Sequence, residues 1–218
     1  MSLYVIGTPI GNMKDISFRA LEVFNESEAI LCEDTRRTSK ILNNYNIKKK
    51  LITINEHNER RKTENIIEIL KKGSKLSLVS DGGLPTISDP GYYLIKRCRE
   101  ENIEVSPIPG ANAGLSALMV SGFATDQFLF YGFLSKKKLK RKKEIQKLLD
   151  KKITIIIYES PYRIIGTLKD IIEIDSERKI MVAKEITKKF EKFFFGRGEE
   201  IIKKVEGPKG EYVIIISK

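Results

Sequence analysis

The sequence predicts a two-lobed α/β protein, with a mostly parallel sheet in the first lobe and a mixed sheet in the second. Over residues 1–122, short apolar runs alternate with segments of helical period, the pattern of β-α units laid into a parallel sheet. Over residues 123–218 the apolar runs crowd together with fewer helices between them, so some neighbours must pair antiparallel. The chain has 218 residues, 41% of them hydrophobic, which is enough for two modest cores and outside the disordered range.

In the first lobe, Leu3–Ile6 reads as a strand ending at Gly7. Ile16, Ala20, Leu21 and Phe24 then share one helical face, with Asp15 as the expected cap. Ala29–Cys32 and Leu51–Ile54 are the next strands. Between Asn58 and Lys72, the residues Ile66, Ile67, Ile69 and Leu70 form an apolar face; Lys71 and Lys72 complement the helix dipole, and Gly73 ends the helix. Leu76–Ser80 is a strand, Tyr92–Glu101 a helix, Ile103–Ile108 a strand and Ala113–Ser121 a small-residue helix. A hinge is expected at Gly122–Gln127. Beyond it come strands at Phe128–Phe133, Ile153–Tyr158, Ile180–Ala183, Phe193–Phe195 and Tyr212–Ile216. Helices are expected at Lys138–Leu149 and Pro161–Ile174, with a short one at Glu199–Val205. The expected domains are 1–122 and 123–218.

Composition narrows the function. No run of about 18 apolar residues is present, so no membrane-spanning helix is expected. The N-terminus lacks a basic region followed by a long apolar stretch, which argues against a secretory signal. Cys32 and Cys98 are too sparse for a disulfide framework or a spaced metal site, and the lone His57 anchors none, so a reducing cytoplasm and no metal are expected. The net charge of +11 favours an anionic partner, although a Lys-rich, Ile-rich and Asn-rich composition can arise without one. The charge is clustered: Lys136, Lys137, Lys138, Lys140, Arg141, Lys142 and Lys143 are interrupted only by Leu139. No G-x-x-x-x-G-K-[ST] occurs and no G-x-G-x-x-G follows the first strand, which argues against P-loop and dinucleotide enzymes.

Ligands of open parallel sheets bind at the carboxyl ends of the strands. There the chain places Gly7–Asn12, Glu33–Arg37, Asp81–Gly91 and Pro109–Asn112, all dense in Gly, Pro or charge. Gly82 and Gly83 allow a ligand close to the backbone. Asp81 is placed to accept hydrogen bonds from a ribose, an amine or a helix N-terminus, whereas Asp89-Pro90 reads as the cap and first residue of the next helix.

These segments, Leu3–Asn12, Glu33–Arg36, Glu56–Glu59 and Ser80–Gly91, resemble the ribosomal RNA small-subunit methyltransferase I family of the tetrapyrrole methylase-like superfamily. So do Phe130–Leu134, Tyr158–Arg163 and Lys184–Lys188, and the match runs in order along the chain. The resemblance implies two α/β lobes of the tetrapyrrole methylase type, paired as homodimers, with S-adenosylmethionine in a cleft between the lobes. It implies methylation of a cytidine ribose 2′-hydroxyl in the decoding region of small-subunit (16S) ribosomal RNA, free or within the 30S subunit. The implied cofactor contacts are Ile10, Asp81, Gly82, Gly83, Leu84, Ala111 and Asn112, joined by Tyr158 and Ile186. Two departures stand out. Gly83-Leu84 replaces more usual small hydroxyl-bearing residues, and Pro109-Gly110-Ala111-Asn112 replaces Pro-Gly-Pro-Ser. Many relatives continue into a helical extension beyond the position of Lys218, which shifts the expected burden of RNA binding onto the basic block.

A ribose hydroxyl attacks only when its proton is removed or strongly hydrogen-bonded. Glu159 and Glu185 are the expected acceptors and Lys184 the expected cation beside them, with Glu33 as a rival and structural ion pairs as the alternative for each. Arg36, Arg37, Arg60, Arg61, Lys136, Lys137, Lys138, Lys140 and Arg141 are the expected phosphate contacts. Competing readings are a tetrapyrrole or protein side chain as acceptor, or a non-catalytic RNA-binding ribosome-assembly factor.

Overall fold

The computed structural model describes residues 2–205 and 209–218. The chain forms two compact units, Met1–Asn112 and Ala113–Lys218.

The first unit holds five strands: β1 (Ser2–Ile6), β2 (Ala29–Cys32), β3 (Lys50–Thr53), β4 (Lys75–Leu78) and β5 (Glu104–Ile108). They line up as β3-β2-β4-β1-β5 with every pairing parallel. Helices α1 (Phe18–Glu26), α2 (Thr35–Asn44), α3 (Glu59–Lys71) and α4 (Tyr92–Glu100) make the crossovers. Alternation along the strands divides the apolar residues between two faces. Leu3, Leu31, Leu76 and Leu78 pack with Ile66, Ile67 and Leu70 of α3 and Leu94 and Cys98 of α4. Ile6, Ile30 and Cys32 pack with Ala20, Val23 and Phe24 of α1 and Leu42 of α2. Both cysteines are buried and free, one on each face.

Three local expectations change. The chain after Gly11 makes a short 3-10 turn at Met13–Asp15 capped by Asn12, so α1 begins at Phe18 with Ser17 as its cap, whose Oγ accepts from Ala20 N at 3.2 Å. Helix α2 was not foreseen, because its buried face is only Thr38, Ile41 and Leu42 and a threonine does not read as core. Asp89-Pro90 does not start α4. Gly91, at φ +121°, is the N-cap, and the free Leu94 N–H of the first turn donates to Glu59 Oε1 at 3.0 Å. A carboxylate from α3 does the capping expected of Asp89.

The second unit holds α5 (Ala113–Val120), β6 (Phe128–Phe133), α6 (Lys138–Leu149), β7 (Thr154–Glu159), α7 (Ile164–Ile174), β8 (Lys179–Lys184), β9 (Lys192–Arg197), α8 (Gly198–Ile202) and β10 (Tyr212–Ile216). Its sheet runs β6-β7-β10-β8-β9; β6 and β7 are parallel, and every other neighbour pair is antiparallel. Ile155, Ile157, Val182 and Ile214 face Ile145 and Leu148 of α6, Ile164, Leu168 and Ile171 of α7, and Ile201 of α8. Helix α5 packs on β7 and β10, so it belongs to this unit and the units divide at Asn112/Ala113, not at the expected 122/123.

The basic block is not uniformly a surface. Arg141, 8% exposed, is paired at 2.7 Å through both Nε and Nη2 with Asp170 Oδ2 of α7, which is 1% exposed. Arg141 is therefore withdrawn from the expected phosphate contacts: helical period turns it inward from its exposed neighbours and into the α6–α7 joint. Arg141→Ala leaves Asp170 buried and unpaired, and urea unfolding should register a loss of about 3–5 kcal/mol. Replacing both partners, Arg141→Met with Asp170→Leu, should restore most of it. A variant with unchanged stability and weakened RNA binding would contradict this placement.

Candidate functional site

Because the first sheet is parallel throughout, the loops that follow its strands gather at one edge. Backbone contacts lock three of them together. Thr8 N–H donates to Gly83 O at 2.9 Å and Gly83 N–H to Thr8 O at 3.0 Å, joining the loops after β1 and β4. Gly7 N–H donates to Ile108 O at 3.0 Å. A Cβ on Gly7 would stand 2.7 Å from Gly110 Cα, and one on Gly110 would stand 2.6 Å from Gly7 O. The loops after β1 and β5 thus touch backbone to backbone, which only glycine permits.

Gly83 sits at φ +90°, and a Cβ there would lie 3.5 Å from Ile10 Cγ2 and 3.6 Å from Ala111 O. A Cβ on Gly82 would lie 3.4 Å from Pro9 O. Ile10, Gly82, Gly83 and Ala111, predicted from three separate loops, therefore come together at one backbone-lined junction, the cradle. Leu84 packs its Cδ2 over Gly7 and is half-buried, as is Asn112. The departures from the family pattern fall on Gly83-Leu84 and on Ala111-Asn112, and the bridge at Gly83 is made by backbone N–H and C=O groups.

Asp81 is braced from the loop after β2. Its Oδ1 accepts from Asp34 N at 3.0 Å, and Oδ2 lies 3.4 Å from Arg37 Nε. Asp34 caps α2 by accepting from Arg36 N at 2.8 Å and holds the Arg36 guanidinium at 2.6 Å. The Arg36 hydrogen bonds hold the Asp34 carboxyl down to about 2. Arg36 and Arg37 are both exposed, yet each has an intramolecular carboxylate, so neither is a bare phosphate contact.

Asp89 and Ser80 were not foreseen as site residues. Burial pushes the Asp89 carboxyl up to about 6, and the Asp81 and Glu56 carboxylates push it the same way. The Ser80 hydroxyl, 2% exposed, reaches no partner at ordinary hydrogen-bond geometry, although it stands close enough to Asp89 to oppose that shift. Glu33 is raised too, first by burial and then by Asp81, Asp89 and Glu56. The signal in the sequence was the count of carboxylates at the strand ends. Among the described residues, no group of three or more His, Cys, Asp or Glu is arranged to hold a metal ion.

In the second unit, Tyr158 OH accepts from Gly114 N at 3.1 Å, and the ring meets Phe130 and Phe133 edge-on at 5.0 and 5.8 Å. Glu159, expected as a proton acceptor, has no exposed side-chain surface. Its Oε1 pairs with Arg163 Nη2 at 2.6 Å and accepts from Ser160 N at 2.7 Å, and its Oε2 accepts from Thr167 Oγ1 at 2.6 Å. With both oxygens engaged inside the fold, it pins the turn after β7 and is closed to a substrate hydroxyl.

Glu185 Oε1 accepts from Lys188 Nζ at 3.0 Å and Glu211 N at 2.9 Å. Burial alone would raise this carboxyl, but the Lys188 hydrogen bond, the Glu211 N–H and the Lys188 and Lys184 charges bring it below the usual range. Such a group is a poor proton acceptor near neutrality. Glu185 and Thr187 both have positive φ, at 54° and 67°, so this loop is held in a conformation uncommon for residues with side chains. Lys184 lies 5.7 Å from the Tyr212 ring centre, and Ile186 is buried. Among the remaining expected phosphate contacts, Arg60 stacks over Tyr93 at 5.4 Å, and Arg61, Lys136, Lys137, Lys138 and Lys140 are exposed.

Residues 2–202 match the family model described as Tetrapyrrole (Corrin/Porphyrin) Methylases. The chain is 44% identical over 217 residues to the Ribosomal RNA small subunit methyltransferase I of Thermotoga maritima, covering 99% of this chain and 97% of that one. The protein of the same name from Bacillus subtilis is 43% identical over 216 residues, 98% of this chain and 74% of the relative. Among solved structures, diphthine synthase superposes with a TM-score of 0.76 at 14% identity, over 100% of this chain and 90% of the other. The uroporphyrin-III-C-methyltransferase of Thermus thermophilus gives 0.68 at 17% identity, over 100% and 94%. At those identities the likeness is one of fold.

The site's electrostatics has a measurable consequence. Asp89 titrates at about 6 in the folded chain, against roughly 4 when unfolded, so the folded state holds this proton more tightly. Stability supplied by the protonated carboxyl is present below pH 4 and lost as pH rises through 6. The stability of Asp89→Asn relative to the parent should therefore climb between pH 4 and 6, by on the order of 1–2 kcal/mol once solvent screening of this partly exposed group is allowed for, and level off above. Urea midpoints across that range measure it, and a flat difference would contradict the burial of a reluctant carboxylate.

Proposed function

The chain belongs to the ribosomal RNA small subunit methyltransferase I family of tetrapyrrole methylases, and from that membership we propose that it methylates a cytidine ribose 2′-hydroxyl in the decoding region of small-subunit ribosomal RNA, using S-adenosylmethionine. The observation that carries the reading is the glycine cradle bridged by Thr8 and Gly83, in a chain more than 40% identical to relatives of that name over nearly its whole length. The tetrapyrrole and diphthine neighbours share the fold at 17% identity or less, which gives those acceptors no comparable support. The expected homodimer and cytoplasmic setting belong to the same reading and rest on the family resemblance.

The cradle suits S-adenosylmethionine because it offers backbone groups and the apolar side chains of Ile10 and Leu84, with one braced carboxylate alongside. Ile10, Gly82, Gly83, Leu84, Ala111 and Asn112 would hold the cofactor, and Asp81 is the group able to accept hydrogen bonds from a ribose diol or an amine. When bound, the cofactor supplies an electrophilic methyl group on a sulfonium. The chain's own task is to hold the acceptor in line, exclude water and receive the hydroxyl proton. Glu159 is closed off and Glu185 is held ionised, so the proton falls to the strand-end carboxylates of the first unit. Glu33 and Asp89, both raised by burial and by neighbouring carboxylates, are the candidates there.

Small ribosomal subunits from cells lacking this protein, incubated with it and methyl-tritiated S-adenosylmethionine, should take up label on one cytidine 2′-oxygen. Label on a base, or none on subunits or free RNA, would overturn the assignment. RNA binding should also weaken steeply with salt, log K falling by roughly 0.7–0.9 per log unit of salt for each phosphate neutralised.

A further inference from the structure

The turns after β7 and β8 in the second unit lie at the same edge of its sheet. Strands β6, β7 and β8 run in one direction, and Phe133 pairs with Tyr158, Tyr158 with Val213, Val213 with Ala183 and Ala183 with Phe193. The segments following β6, β7 and β8 therefore leave the sheet side by side. Strands β7 and β8, which those turns leave, stand two strand spacings apart, roughly 10 Å. Each turn presents an aromatic ring to water: Tyr162 is 83% exposed and Phe190 68%.

Neither ring sits on a loose loop. The turn carrying Tyr162 is held by the Glu159–Arg163 pair, by Arg163 N donating to Ser160 O at 3.0 Å and by Arg163 Nη1 donating to Leu134 O at 3.1 Å. The turn carrying Phe190 is held by Thr187 N on Glu191 Oε1 at 2.7 Å, Glu191 N on Lys188 O at 3.1 Å, and Lys188 Nζ on Glu185 and Glu211. Exposed single aromatics are ordinary on a surface. Two on braced turns at one edge, with cations around them, are a different arrangement. The Lys189 ammonium lies 5.7 Å from the Phe190 ring centre, and exposed Lys136, Lys137 and Lys138 follow β6 at the same edge. These three lysines gather at the start of α6, whose first turn carries no carboxylate, so the local field there is strongly positive.

We propose that this edge is a stacking platform for an unpaired stretch of RNA, Tyr162 and Phe190 each receiving a base and the flanking lysines receiving phosphates. This rests on the reading that RNA is the substrate and adds the class of RNA: single-stranded or splayed-out nucleotides, not an intact helix. Aromatic faces with a basic track are how proteins grip single strands without reading sequence. In a duplex the base faces are already stacked and unavailable to these rings.

Fluorescence anisotropy with a labelled 12-nucleotide RNA, single-stranded or annealed to its complement, tests the proposal. The single strand should bind more tightly than the duplex. Tyr162→Ala and Phe190→Ala should each lower affinity for it by roughly 5- to 150-fold. Stacking releases no counterions, so the slope of log K against log salt should stay as in the parent, whereas Lys136→Ala with Lys137→Ala should flatten it. Tyr162→Phe should retain binding. Parent-like affinity in both alanine variants, or tighter duplex binding, would overturn the platform while leaving the RNA reading intact. Failure of the parent chain to bind any RNA would overturn the RNA reading and the platform with it.

Discussion

The reciprocal pair of backbone hydrogen bonds between Thr8 and Gly83 is the constraint on which the rest of the first unit's site depends. It joins the loop after β1 to the loop after β4, two neighbours in the parallel sheet, and brings Ile10 and the Gly82-Gly83 pair to one place. The Gly7–Gly110 contact then sets the loop after β5 against the same point, which delivers Ala111. Because the joints are backbone to backbone, the side chains nearby can vary without moving the cradle. That explains how Leu84 and Asn112 can depart from the common family pattern inside an otherwise matching chain.

Around that cradle the charged groups divide by solvent access. Asp34, Arg36 and Arg37 form an exposed chain of ion pairs that braces Asp81. Asp89 and Glu33, less accessible and near other carboxylates, hold their protons more tightly than carboxyls in water. In the second unit the corresponding strand-end carboxylates, Glu159 and Glu185, are spent on pinning turns. Two units with similar loops at their strand ends thus use acidic residues in opposite ways. In the first, Asp89 and Glu33 stay raised by burial and like charge; in the second, Glu159 and Glu185 are tied into turns.

Much of this was legible in the residues themselves. Period and turn chemistry located the ten strands among the described residues, three of them (Ala29–Cys32, Phe128–Phe133 and Tyr212–Ile216) to the residue, and the crowding of the later strands predicted the mixed sheet. Glycine placement marked Gly82 and Gly83 as a point of close backbone approach, and Gly83 does pair with Thr8 and lie against Ile10 and Ala111. What could not be read depends on long-range partners. Asp89 looked like a cap because Pro90 followed it, while the actual capping carboxylate, Glu59, lies on another helix. Arg141 looked like its neighbours in the basic block; it shares the buried face of α6 with Ile145 and Leu148, and Asp170 on α7 supplies the partner that lets a charge sit there. Glu159 is adjacent in sequence to a predicted cofactor residue, yet Arg163 and Thr167 take its oxygens.

The most direct test of the cradle is calorimetric titration of S-adenosylmethionine into the parent chain and into Gly82→Val. Gly82 is not in the left-handed region, and an added Cβ would meet only Pro9 O at 3.4 Å and Ile10 Cα at 3.8 Å, so a side chain there is compatible with the backbone, and the variant's melting temperature is measured beside the parent's to confirm that it folds. Saturable binding to the parent, and its loss by more than roughly tenfold when the valine methyls enter the cradle, is the expected result. Equal binding by a folded Gly82→Val, or none by the parent, would contradict the placement of the cofactor at the Thr8–Gly83 bridge.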